Sequence, residues 1–168
     1  ESKQVYDPDQ HGILVAPDLK AGYEVVDVYW IERGLSLVCI AHNEKTHQNE
    51  YILYEPPLSP FEYEVLERLF EDLRDVLLLN EDEIRGDKRQ VLLSLVEDLI
   101  AEYGVTLDLP SLFKLQYYLV RNFLGWSRID ALMKDPQIED ISCDGVKVPI
   151  FLYHRRFHNI KTNIVFEK

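Results

Sequence analysis

The sequence predicts an α+β fold: a small antiparallel β-meander, a three-helix unit, and then the start of an α/β layer. Three observations carry this. Residues 23–55 hold three short runs rich in β-branched and aromatic residues, separated by turn residues. Residues 58–125 hold runs whose apolar side chains recur at three and four. From Ile138 onward the chain turns extended again.

Residues 1–22 are polar and broken by Pro8, Gly12, Pro17 and Gly22, which predicts a flexible lead-in. Order begins near Tyr23. "YEVVDVYWIE" and "LSLVCIAH" flank Arg33-Gly34 and read as a hairpin; "EYILYE" follows the polar turn "NEKTHQN" as a third strand. These strands form a β subdomain over residues 23–57. A three-stranded sheet needs a cover, which the helices that follow are expected to supply.

The helical unit spans residues 58–125. Ser59 is placed to cap the first helix, Pro60 suits its first position, and Glu62 completes a capping box. Phe61, Val65, Leu66, Leu69, Phe70, Leu73, Val76 and Leu77 make the buried stripe, while Glu64, Glu67, Glu71, Asp72 and Asp75 face away. A second helix runs from about Asp87 to Tyr103, ended by Gly104, and a third from about Pro110 to Leu124. Residues 126–168 begin a further subdomain. Ser127 and Asp130 read as a cap for the short helix "DALMKD", terminated by Asp135-Pro136. Strands follow at "IEDISC", "VPIFLYHRR" and "TNIVFE", and Pro149 marks a strand start or an edge. The chain stops inside a strand-like run, which suggests a cut within a domain.

The 168 residues carry a formal net charge of -12, distributed as -5 over residues 1–54, -10 over 55–108 and +3 over 109–168. An acidic middle repels nucleic acid and anionic lipid; it suits a basic protein surface, or else is a solvated helix face. No run approaches the roughly eighteen apolar residues of a membrane span. Cys39 and Cys143 form no close-spaced framework and read as buried thiols in a reducing compartment, or else as one disulfide.

Candidates for chemistry are few. "DPQIEDISCDG", residues 135–145, holds four acids and no base, and Asp140, Ser142, Asp144 and Gly145 match the opening of a calcium loop. Val148 and Phe151 then stand where that loop needs oxygen ligands, so the stretch reads as turns around a strand. Cys39-x-x-His42 is a single ligand pair where zinc sites usually show two. His154 and His158 read as surface histidines of a hairpin, and Arg155-Arg156 as solvated arginines. No glycine precedes a lysine, so the phosphate-binding loop of an NTPase motor is absent from the sequence.

At "GWSRIDALMKDPQIEDISCDGVKVPIFLYHRRFHNIKTNIVFE", residues 125–167, the chain resembles the N-terminal region of the type II/type IV secretion ATPases, in particular their archaeal branch with the archaellum motor. "YILYEPPLSPFEYEVLERL" upstream is similar as well. The resemblance implies the N-terminal regulatory and docking part of a hexameric ATPase that assembles pili, archaella or secretion fibres. Such a protein is cytoplasmic, sits at the inner face of the membrane on a polytopic platform protein, and needs no nucleic acid. It also implies a fragment truncated before any RecA-like motor. ATP and Mg belong to the parent chain, with no cofactor, metal or catalytic residue here. Within it Asp135, Pro136, Ile138, Glu139, Asp140 and Gly145 match the family's block, structural at a strand start and at a subunit contact. The acids Glu64, Glu67, Glu71, Asp72 and Asp75 are the expected platform-docking face. Two rivals stand beside this reading: a stand-alone acidic adaptor, and a small metal-dependent hydrolase using acids around Asp140 and Asp144.

Overall fold

The computed structural model describes residues 4–79 and 86–167. The first three residues of the expected lead-in lie outside them. The fold is α+β, and its contacts divide the chain into two units.

One unit comprises Gly12–Pro57 and Arg128–Lys168. Strands β1 (Tyr23–Glu32), β2 (Ser36–Asn43) and β3 (Gln48–Tyr54) form the antiparallel meander. Gly34 turns the first hairpin at φ 84, a left-handed conformation that glycine adopts without steric cost. After the helix α5 (Asp130–Lys134) come β4 (Ile138–Ser142), β5 (Pro149–His154) and β6 (His158–Val165). Residues 23–57 and 126–168, separate subdomains in the sequence reading, contribute to one six-stranded sheet of order β1-β2-β3-β6-β5-β4. Its only parallel pair among the described strands is β3 with β6, in register at Tyr51 and Thr162.

The reason lies in burial. Val38, Ile40, Tyr51 and Leu53 of the meander share a core with Ala131, Leu132, Ile150, Leu152, Ile160 and Ile164. An isolated meander would leave that face wet, so the late strands extend the sheet and α5 covers it. Every residue of β2 from Ser36 to Ala41 is buried, so this strand is covered on both faces. Leu14 and Val15 of the lead-in are buried too, and Leu14 N–H donates to Gly34 O at 2.8 Å.

The other unit comprises Glu1–His11 and Leu58–Ser127. It holds α1 (Pro8–His11), α2 (Pro60–Leu79), α3 (Lys88–Tyr103) and α4 (Leu109–Phe123). Val65, Leu66, Leu69 and Leu73 of α2 pack with Leu92, Val96, Leu115 and Leu119. The expected α2 stripe needs one correction: Phe61 is exposed, because in the first turn the buried position falls to Glu62, which meets Lys114 of α4 at 3.4 Å. The capping box is formed in both directions, Glu62 N–H to Ser59 Oγ at 3.1 Å and Ser59 N–H to Glu62 Oε1 at 2.8 Å. Asp87 caps α3, Asp108 caps α4, and Gly104 closes α3 at φ 68. The lead-in contributes here as well, since the rings of Tyr6 and His11 pack at a tilt against Phe113.

The start of α5 also departs from expectation. Ser127 adopts φ 55 and opens a 3-10 turn through Ile129, and no side chain caps α5. Asp130 is buried and pairs with Lys134 at 2.9 Å.

Ser59→Ala removes one half of the α2 capping box. It is expected to cost about 1 kcal/mol, while Leu69→Ala in the same helix costs about 3 kcal/mol through its cavity. Urea unfolding of the full chain followed by circular dichroism checks both.

Candidate functional site

Asp135 ends α5, and Pro136 behind it forces its backbone out of the helical region, to φ -79 and ψ 112. The side chain then folds back as an Asx turn, its Oδ1 accepting Gln137 N–H at 2.8 Å. Its Oδ2 accepts the hydroxyls of Tyr29 at 2.6 Å and Tyr51 at 2.7 Å. The residue is only 4% exposed. Three donors therefore meet one buried carboxylate, which is how such a charge is tolerated away from water.

His154 extends the network. Its Nδ1 accepts the backbone N–H groups of Arg156 at 3.1 Å and Phe157 at 3.4 Å. The ring proton of the neutral imidazole is thereby assigned to Nε2, which lies 3.1 Å from the Tyr29 hydroxyl and donates to it. All donors run one way, from His154 to Tyr29 to Asp135, with Tyr51 joining at the carboxylate. Burial, before any charge nearby, pushes the phenols of Tyr29 and Tyr51 far above their ordinary range; the Asp135 charge adds to it. Burial also lowers the His154 pKa, against the opposing pull of Asp135 and Asp27.

In the sheet, β1 and β5 are separated by β2, β3 and β6, yet Tyr29 and His154 are in hydrogen-bond contact. The sheet must curl until its distant strands meet, and the Asp135 network fills the gap between them. Over it lies a cleft of about 440 Å³ lined by Asp27, Tyr29, Trp30, Pro136, Gln137, His154 and Arg156. An ion pair of Arg156 with Asp27 at 3.3 Å joins its two sides. Both nitrogens of His154 are engaged and the tyrosines are held protonated. In this arrangement the network braces the sheet and presents no free general base to the cleft.

The sequence motif is thus divided. Asp135 is buried in the brace, Pro136 lines the cleft, and Ile138 packs on the core. Glu139 and Asp140 are exposed on β4, with Glu139 3.7 Å from Arg155. Gly145 takes φ 136 in the following turn, in the region that favours glycine. Asp140 borders a smaller cleft of about 190 Å³ with Ser142, Phe151 and Tyr153, while Asp144 accepts Ser142 Oγ at 3.2 Å. Among the described residues, no three His, Cys, Asp or Glu are grouped to hold a metal ion. Cys39 and His42, three apart on a regular strand, point to opposite faces.

Two expectations are corrected here. His154 is 1% exposed and not a surface residue, because it follows Ile150 and Leu152 at the two-residue period of β5's buried face. That alternation was the available signal for it. Cys39 is buried, but Cys143 is exposed because it lies just beyond the end of β4.

On α2, Glu64, Glu67, Glu71 and Asp75 are exposed. Asp72 is half-buried and accepts the Tyr103 hydroxyl at 2.5 Å, beside Arg68, whose guanidinium lies 4.0 Å from the Tyr103 ring centroid. It ties α2 to α3, leaving four acids of the expected docking face free to meet a partner.

Tyr51→Phe is expected to cost about 2 kcal/mol, the loss of a hydrogen bond to a charged acceptor. Asp135→Ala should cost about 3–5 kcal/mol by stranding two buried hydroxyls. The double variant should fall short of the sum, since both remove the same bond. His154 adds a pH dependence. Its folded-state pKa is depressed, so the unfolded chain takes up a proton below about pH 6.5 that the folded chain refuses. Its contribution is intact above that pH and is lost as pH falls through the folded-state value. His154→Asn should remove this part of the slope in urea titrations at a series of pH values.

Comparison with known proteins bears on the same unit. Residues 2–57, which contain the strands bearing Tyr29 and Tyr51, match the family described as PilB3-like, N-terminal. An uncharacterized protein of Methanocaldococcus jannaschii is 33% identical over 135 residues, covering 80% of this chain and 54% of the relative. The chain thus spans about half the length of that relative. The family match supports a likeness to the N-terminal region of a pilus or secretion ATPase.

Proposed function

We propose that the chain is the N-terminal docking and regulatory part of an ATPase that powers assembly of a type IV pilus, archaellum or secretion fibre. The observation that carries this reading is the match of residues 2–57 to the PilB3-like N-terminal family. The second stretch of resemblance, around Asp135, is hydrogen-bonded to Tyr29 and Tyr51 inside the matched segment, so both belong to one folded unit. ATP and Mg act in a motor portion of the parent protein, which works as a homo-hexamer; this chain's residues supply docking. No described helix is long and apolar enough to cross a membrane. On the proposed reading the part works in the cytoplasm, at the inner membrane face, against a polytopic platform protein.

The docking face is Glu64, Glu67, Glu71 and Asp75 on α2. Cytoplasmic loops of membrane proteins carry an excess of Lys and Arg, which a row of acids attracts. Single exposed pairs contribute at most about 1 kcal/mol, so the affinity rests on several acids acting together.

Binding of the full chain to platform protein in vesicles should weaken about tenfold or more between roughly 50 and 500 mM salt. Reversing the four acids to Lys should abolish the salt dependence and most of the binding. Binding that survives the reversal unchanged would overturn the assignment of this face. Asp72 stays untouched in that variant, because its bond to Tyr103 holds α2 on α3.

A further inference from the structure

The turn between β5 and β6 is built around an acceptor that a proton can remove. His154 and His158 are partners across the hairpin, with Arg155, Arg156 and Phe157 between them, and His158 closes the turn at φ 60. Two backbone donors of the turn, Arg156 N–H and Phe157 N–H, converge on His154 Nδ1. Arg155 N–H is anchored elsewhere, on Gln137 O at 2.8 Å. The side chain of Arg156 spans from this turn to Asp27 on β1 and thereby joins the two sides of the cleft. That ion pair is exposed, so on its own it is a weak catch.

The surroundings of His154 are asymmetric. Tyr29 and Asp27 face it from β1, Tyr51 from β3, and Asp135 from the turn before β4; Arg156 and the Phe157 ring face it from its own hairpin. His158 turns its ring the other way, stacked on Tyr153 with centroids 5.5 Å apart. The Nε2 side, with Tyr29 and Asp135 behind it, is the same for neutral and charged imidazole, since Nε2 carries its proton in both. The Nδ1 side is not. A proton there replaces an acceptor with a donor aimed at two N–H groups, and the turn cannot keep its geometry.

We propose that this hairpin is a pH-operated latch: proton uptake from solvent at His154 Nδ1 frees the amides of Arg156 and Phe157, opens the 155–157 turn, withdraws Arg156 from Asp27 and widens the cleft. Arg155, held by Gln137, acts as the hinge. The latch is closed at neutral pH and opens only below the ordinary imidazole range, because burial disfavours the charged ring. It stands independently of the docking face on α2.

The test uses the full chain labelled with 15N, following imidazole nitrogen shifts and amide exchange together across pH 7.5 to about 4.5. At neutral pH His154 should show an unprotonated Nδ1. As it titrates, protection factors of the Arg156 and Phe157 amides should fall about tenfold, the equivalent of one ordinary hydrogen bond, at the same midpoint, while Arg155 stays protected. In His154→Asn the amide oxygen replaces Nδ1 as acceptor and does not titrate, so both amides should stay protected at every pH. Amides that remain protected through the His154 titration, or that lose protection equally in the Asn variant, would overturn the latch. Should that variant fail to fold, Tyr29→Phe shifts the His154 midpoint; the amide loss must shift with it, and a loss that stays at the original pH overturns the proposal.

Discussion

The buried carboxylate of Asp135 is the constraint on which the sheet unit depends. A charge taken out of water must be met by donors, and here two tyrosine hydroxyls and a backbone amide reach it because the sheet curls so that β1, β3 and the start of β4 converge. Apolar burial alone would tolerate many small shifts of strand against strand. Hydrogen bonds of 2.6 and 2.7 Å to a single oxygen do not. The core around Ile40, Leu53, Leu132 and Ile150 supplies most of the favourable burial, while Asp135 selects one arrangement of that core.

The segment that matches a known family, residues 2–57, holds only part of this sheet. The first 57 residues form the meander but leave one of its edges and its apolar face incomplete. The missing pieces, α5 and β4–β6, come after the whole helical unit, joined through the parallel pairing of β3 with β6. Parallel neighbours need a long crossover, and here the crossover is itself a helical unit with its own core. The proposed docking face on α2 and the proposed latch beside β1 thus belong to two units, each with its own packing.

Legibility from sequence tracked the range of the interaction. The capping box of Ser59 and Glu62 and the stop at Gly104 involve residues within four positions of one another, and their chemistry is local. The longer strands and helices read correctly for the same reason, their side-chain periods being properties of short windows, whereas α1 and the start of β6 at His158 did not. Asp135 reads from the residues as a turn before proline, and from the resemblance as part of a structural block. Its partners lie 84 and 106 positions away, and nothing local distinguishes Tyr29 or Tyr51 from other aromatic strand residues. Asp72 was grouped with the solvent-facing acids because its spacing is theirs, whereas Tyr103 reaches it from another helix.

By itself the sequence determined the secondary elements, their caps and turns, the acidic face of α2 and the apolar faces that had to be covered. Those follow from steric limits on φ and ψ and from side-chain period, which operate within a few residues. Tertiary structure alone decided that the early and late strands share one sheet, that Tyr29 and Tyr51 meet Asp135, and that four acids rather than five lie open on α2. Each of these depends on which distant surfaces meet, a choice made by burying apolar area while giving buried polar groups such as Asp135 hydrogen-bond partners.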